Sequence, residues 1–88
     1  MTITQIRYAI AVGETGSMTK AARQFGVKQP SVSAAIADLE REMNIQLFER
    51  GAKGITLTVR GREFLSEIAE LCQSVQRMED RYQPVCFR

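Results

Sequence analysis

The side chains best equipped for chemistry fall between positions 28 and 37: Lys28, Gln29, Pro30, Ser31, Ser33, Ala34 and Ala37. Together they offer an ammonium, a carboxamide that donates and accepts at once, two hydroxyls and two methyls. The machinery of catalysis is missing around them. The chain contains no histidine, its carboxylates fall mostly on exposed helical faces, and no Gly-rich loop follows a strand to hold a nucleotide. Cys72 and Cys86 alone cannot complete a metal site. The pattern therefore argues against an enzyme and calls for no cofactor. Amide, hydroxyl and methyl groups set at helical spacing are instead what reading the edges of base pairs requires.

The elements around these residues fit that use. From Ser17 the chain reads SMTKAARQFGVKQPSVSAAIADLE, with Met18, Ala21, Ala22 and Phe25 forming one apolar helical face. Gly26 supplies a sharp turn, Val27 plugs the corner, and Pro30 suits the first turn of a new helix. Val32, Ile36, Leu39 and Met43 then recur at spacings of four, three and four. This is a helix-turn-helix, a device that lays its second helix in the major groove of double-stranded DNA. With Val32 and Ile36 inward, Pro30, Ser33, Ala34, Ala37 and Arg41 turn outward, and Gln29 stands at the leading end. Gln29 can bond an adenine edge, Ser33 a base or a phosphate, and the methyls of Ala34 and Ala37 can touch thymine.

The flanking segments predict the winged variant, a mainly α fold. Thr4 is placed to cap a first helix running to about Val12, with Ile6, Ala9 and Ile10 inward and Gly13 and Gly16 bracketing its end. Ser17 caps the next helix, and Asn44 ends the recognition helix. Ile45-Gln46-Leu47 begins an alternating strand, Ile55-Thr56-Leu57-Thr58 makes a second, and Gly51-Ala52-Lys53-Gly54 turns between them. Arg50 at the base of this wing and Lys53 at its tip are placed to meet phosphates or an adjacent minor groove. Thr19 and Lys20 open the first helix of the motif, whose N-terminus could receive a phosphate oxygen. Phe48 reads as a core plug between wing and recognition helix.

A long helix follows, from about Val59 to Arg81, with Thr58 as its cap. Phe64, Ile68, Leu71, Val75, Met78 and Tyr82 repeat at spacings of four, three, four, three and four. A 3.5-residue repeat is what a coiled-coil seam requires. The other reading is a helix packed on its own domain, but about 23 residues are more than so small a body covers. A homodimer is expected, with two recognition helices facing one duplex.

Composition bounds the remainder. Eighty-eight residues, 44% hydrophobic and 25% charged, make one modest soluble domain. Its parts are a winged helix-turn-helix over 1–58, a linker or dimerisation helix over 59–82 and a tail over 83–88. No apolar run is long enough to cross a bilayer and no signal-peptide pattern opens the chain, so no membrane partner is expected. Cys72 and Cys86 read as reduced thiols in a cytoplasm, and DNA binding would place the chain on the nucleoid. Net charge is +2, divided as +4 over residues 1–62 and −2 over 63–88. A basic head with an acidic C-terminal helix suits a module that meets phosphates at one end.

The runs GSMTKAARQFGVKQPSVSAAIADLE, LFER and ITLTVRG, in this order, resemble the N-terminal domain of the bacterial LysR-type transcriptional regulators over roughly residues 3–80. The resemblance implies sequence-specific DNA binding and transcriptional regulation. It carries DNA contact onto Gln29, Pro30, Ser31 and Ser33, and places Arg50 in the family's wing motif. For Ala34 it carries the position only, because many members have a long basic side chain there. Lys28 stands where the family usually has a serine. The long helix corresponds to the family's dimerisation linker. Members normally continue into a large effector-binding domain to which nothing here corresponds, so no effector ligand is expected to bind this chain. The alternative use of such a module is protein interaction, pairing with a full-length regulator through the linker helix.

Overall fold

In the computed structural model, which describes residues 1–82, the chain runs α1 (Ile3–Thr15), α2 (Met18–Phe25), α3 (Gln29–Met43), β1 (Phe48–Gly51), β2 (Gly54–Leu57) and α4 (Val59–Tyr82). Cys86 and the 83–88 tail lie outside the described residues. The fold is mainly helical, a helix-turn-helix followed by a two-stranded antiparallel wing.

Side chains start three of the four helices. Thr2, not Thr4, caps α1. Its hydroxyl accepts from the Gln5 N–H at 3.1 Å, and the Gln5 side chain accepts from the Thr2 N–H at 3.0 Å. This reciprocal box needs an acceptor side chain three residues on, which Thr2 finds in Gln5. Thr4 would meet Arg7, which has no acceptor to return. The helix also runs past Val12 to Thr15, so Gly13 lies within it and Gly16, at φ 70°, ends it alone. Ser17 caps α2 through the Lys20 N–H at 3.1 Å, and Gly26 ends it in the left-handed conformation at φ 65°. Asn44 closes α3 at φ 54°, a conformation asparagine tolerates better than most residues.

The core lies where α1, α2 and α3 meet. Ala9, Val12, Ala21, Ala22, Val32, Ile36 and Leu39 are buried there with Leu47 and Leu65. Alanines at the contacts let the short helices approach closely, while each buried branched side chain contributes roughly 1.5–3 kcal/mol. Phe25 sits at the margin, 40% exposed, its ring edge-on to Tyr8 with centroids 5.0 Å apart.

Residues 45–47 are not a strand. Their backbone groups are taken elsewhere: the Glu40 carboxylate accepts from the N–H of Leu47 at 2.7 Å and of Phe48 at 3.3 Å. Thr58 donates its N–H to the Leu47 carbonyl and its hydroxyl to the Gln46 carbonyl. The ladder starts at Phe48, pairing Phe48 with Leu57, Glu49 with Thr56, Arg50 with Ile55 and Gly51 with Gly54 around the loop Ala52-Lys53.

Thr58 caps α4, its hydroxyl accepting from the Gly61 N–H at 2.8 Å. Leu65 and Ile68 are buried against the body, and Phe64 packs at its edge. Farther along, Arg7 of α1 pairs with Glu79 at 3.5 Å, while Leu71, Met78 and Tyr82 stay exposed. Ile68 therefore already serves the chain's own core, and the outward stripe is carried by the residues beyond it. No helix among the described residues is long and apolar enough to cross a membrane.

Gly61 lies directly against the Leu47 backbone. A Cβ there would overlap the Leu47 carbonyl oxygen and come within 2.9 Å of its carbonyl carbon and Cα. Helix propensity alone favours Gly61→Ala by about 1 kcal/mol. Contact with unyielding backbone reverses the sign, and we expect a net loss of about 1–3 kcal/mol. Urea unfolding of the single variant measures it.

Candidate nucleic-acid interface

The outward side of α3 carries the predicted residues together with the exposed carboxylates of Asp38 and Glu42. Pro30, Ser31, Ala34, Ala37 and Arg41 are exposed, and Gln29 and Ser33 are half-buried. Burial of Val32, Ile36 and Leu39 on the opposite side fixes the rotation of the helix about its axis. Arg41 is engaged locally, bonding Asp38 one turn back at 2.8 Å, so its charge is partly compensated.

Beside that face the wing closes a cleft of about 190 Å³, lined by Met18, Ser33, Ile36, Ala37, Glu40, Phe48, Arg50 and Ile55. The fold thus brings Ser33 and Ala37 of α3 together with Arg50 of β1. Alternation along the hairpin explains it: buried Phe48 and exposed Arg50, with their partners Leu57 and Ile55, lie on the side of the hairpin that borders this cleft, while Glu49 and Thr56 lie on the other. Lys53 stands exposed at the hairpin tip, outside this cleft. Thr19 and Lys20 are exposed at the start of α2, where the Lys20 N–H is already held by Ser17.

Charge is arranged in keeping with that geometry. Among the described residues the ion pairs engage Arg7, Arg41 and the Met1 amine. Lys20, Arg23, Lys28, Arg50 and Lys53 enter none of them, leaving five cations around the helix-turn-helix and wing open to solvent or a polyanion. A second, larger groove of about 670 Å³ runs along α4 between Ile45, Arg60 and Glu67. Its basic and acidic side chains are mixed, and it contains none of the α3 residues. No cluster of His, Cys, Asp and Glu among the described residues could hold a metal ion.

Glu40 is the participant that residue type alone does not reveal. It borders the buried Leu39 on α3, and its partners are backbone donors seven and eight residues on. The available signal was its adjacency to the apolar stripe, which places a carboxylate where the chain turns back toward the helix.

Comparison with known proteins adds an independent line. Residues 3–62 match the family described as bacterial regulatory helix-turn-helix protein, lysR family. The HTH-type transcriptional regulator TfdT of Cupriavidus pinatubonensis is 40% identical over 83 residues, 94% of this chain and 36% of that protein. BenM of Acinetobacter baylyi is 38% identical over 78 residues, 89% of this chain and 26% of that one. The chain thus spans about a quarter to a third of the length of these curated relatives. Among solved structures, the BenM DNA-binding domain with catB site 1 DNA superposes with a TM-score of 0.83 at 38% identity, covering 89% of this chain and 84% of that one. The CbnR DNA-binding domain–DNA complex gives 0.84 at 36% identity, covering 92% and 93%.

Lys28 occupies the cap position of α3 with extended backbone, φ −86° and ψ 150°, and its side chain makes no cap hydrogen bond. An ammonium cannot accept from the opening N–H groups, and its charge opposes the positive end of the helix dipole. We expect Lys28→Ser to raise stability by about 0.5–2 kcal/mol. Thermal unfolding decides it, and an unchanged midpoint would mean that serine finds no donor there.

Proposed function

The chain belongs to the LysR family of bacterial helix-turn-helix regulatory proteins, and we propose that it binds double-stranded DNA sequence-specifically, as a homodimer, to regulate transcription. Recognition helix α3 enters the major groove, and the wing lies on the backbone or the adjacent minor groove. The observation that carries this reading is the cleft where Ser33 and Ala37 meet Arg50, beside cations that enter no ion pair among the described residues. The DNA complexes of the BenM and CbnR domains support it at the level of the module.

Roles divide by chemistry. Gln29 reads a base edge by paired donation and acceptance, Ser31 and Ser33 bond a base or phosphate, and Pro30, Ala34 and Ala37 permit close approach. Thr19, Lys20, Lys28, Arg50 and Lys53 meet the phosphate strands and set register without reading sequence. Residues 1–58 form the DNA-binding head. Residues 59–82 form the dimerisation helix, which pairs through Leu71, Val75, Met78 and Tyr82, with Phe64 and Ile68 at the junction to the head. Such a module works in the cytoplasm, on the nucleoid. No sensing of a small effector is assigned to it.

Two experiments test this reading. Against matched and random duplexes, Arg50→Ala should weaken both alike and flatten the slope of log affinity against log salt by about 0.9. Gln29→Ala should instead relax preference at one base position by about 1–3 kcal/mol. Equal loss of discrimination in both variants would refute the division of roles. In sedimentation, Leu71→Asp should convert a dimer to monomers that hold single half-sites weakly. A parent chain that sediments as a monomer at high micromolar concentration would remove the dimer, and one that forms dimers yet ignores every duplex would favour a protein-interaction module.

A further inference from the structure

We propose that Glu40 is a positioning residue for DNA binding: its carboxylate sets the register at which the wing leaves the recognition helix and so decides that Arg50, not Glu49, faces the duplex. The inference rests on the reading of Arg50 as a phosphate contact.

Glu40 is an unexpected side chain to find in this cleft. It lines the same space as Ser33, Ala37 and Arg50, where a carboxylate repels the polyanion that the surrounding cations attract. Its position is explained by what it holds. One oxygen, Oε2, accepts from both the Leu47 and the Phe48 N–H, at 2.7 and 3.3 Å. The Leu47 N–H precedes the first ladder pair, so the carboxylate takes the place of a strand partner at the point where the hairpin begins.

The consequence follows from the period of a strand. Successive side chains point to opposite faces, so a slip of one residue exchanges the faces completely. In the observed register Phe48 and exposed Arg50 share the side of the hairpin that lines the cleft, and Glu49 lies on the other. Shifted by one, Glu49 would replace Arg50 in the cleft, exchanging a positive for a negative group on the surface that faces DNA. The four-residue strands and two-residue loop offer few bonds of their own to resist this. Burial of Leu47 and Phe48 and the Thr58 bonds to the Gln46 and Leu47 carbonyls share the task, and Glu40 alone holds the N–H side of the junction. A fixed acceptor on α3 ties the register of the wing to the helix that reads the bases.

Simple electrostatics and positioning predict opposite signs, which makes the test decisive. Glu40→Ala removes both the acceptor and a negative charge, whereas Glu40→Gln removes the charge and keeps an acceptor oxygen of the same reach. Affinity is measured over a salt series, on a duplex selected from a random pool by the parent chain, well below each variant's unfolding midpoint. If Glu40 positions the wing, Glu40→Ala weakens binding by about tenfold, the scale of one charge-assisted contact. Its salt slope then falls by about 0.9, as for Arg50→Ala, and the double variant is no worse than either single one. Glu40→Gln keeps the parent slope. Tighter binding in both Glu40 variants would overturn the proposal in favour of plain charge repulsion. A lowered melting temperature with unchanged slope, or additive losses in the double variant, would overturn it in favour of a purely structural role. An Arg50→Ala variant that binds like the parent would instead sink the underlying reading of Arg50.

Discussion

The Leu47 peptide is the junction on which the arrangement of this domain depends. Its N–H is held by the Glu40 side chain of α3, and its carbonyl accepts the Thr58 N–H at 2.9 Å, just before α4. Its side chain is 1% exposed in the core, and Gly61 of α4 lies against its backbone. Recognition helix, wing and long helix are therefore fastened to one peptide unit. The carbonyl bond is worth only about 1 kcal/mol net and the carboxylate bond about 1.5–3 kcal/mol. Their value is geometric, because they fix three elements that adjacency in sequence would leave free to rotate about short connections.

Stability and recognition draw on different parts of the chain. No polar or charged residue among those described is buried, so the core carries no desolvated charge that must be compensated. The ion pairs are superficial and contribute little to folding. Apolar contact and backbone bonding hold the fold, which leaves the cations near α3 and the wing free to act on a partner. Burial also explains why so small a domain can present small, weakly interacting side chains such as Ala34 and Ala37 on its outward face: the opposite face alone anchors the helix.

The sequence made the helices legible because most carried three concordant signals, a periodic apolar stripe, a cap and a terminator. Ser17 with Gly26 and Pro30 with Asn44 each bracket a stripe. Where one signal had to be chosen among equals, the outcome depended on a neighbour: Thr2 won over Thr4 because Gln5 follows it at the right interval. Residues 45–47 alternate like a strand, and only a carboxylate elsewhere in the fold, invisible to local pattern, diverts their donors. The stripe on α4 was legible as apolar but not as one-sided. Leu65 and Ile68 turn to the body while Leu71, Met78 and Tyr82 do not, and periodicity cannot say which neighbour a stripe meets. The candidate interface was legible on α3, where helix rotation follows from the buried residues. The meeting of Arg50 with Ser33 and Ala37 was not, because it depends on the register of the wing.

The long helix also makes the head an angular instrument. Ile68 is its last buried residue, and at about 1.5 Å per residue the fourteen positions from there to Tyr82 reach roughly 21 Å farther. A swing of about 10° at the root would carry the tip through nearly 4 Å, close to the rise of one base pair. The root is fixed by glycine against backbone at Gly61, and the shaft is stayed by Arg7 against Glu79 at 3.5 Å. Leverage of this kind magnifies small changes in packing near Leu47 at the far end of the helix.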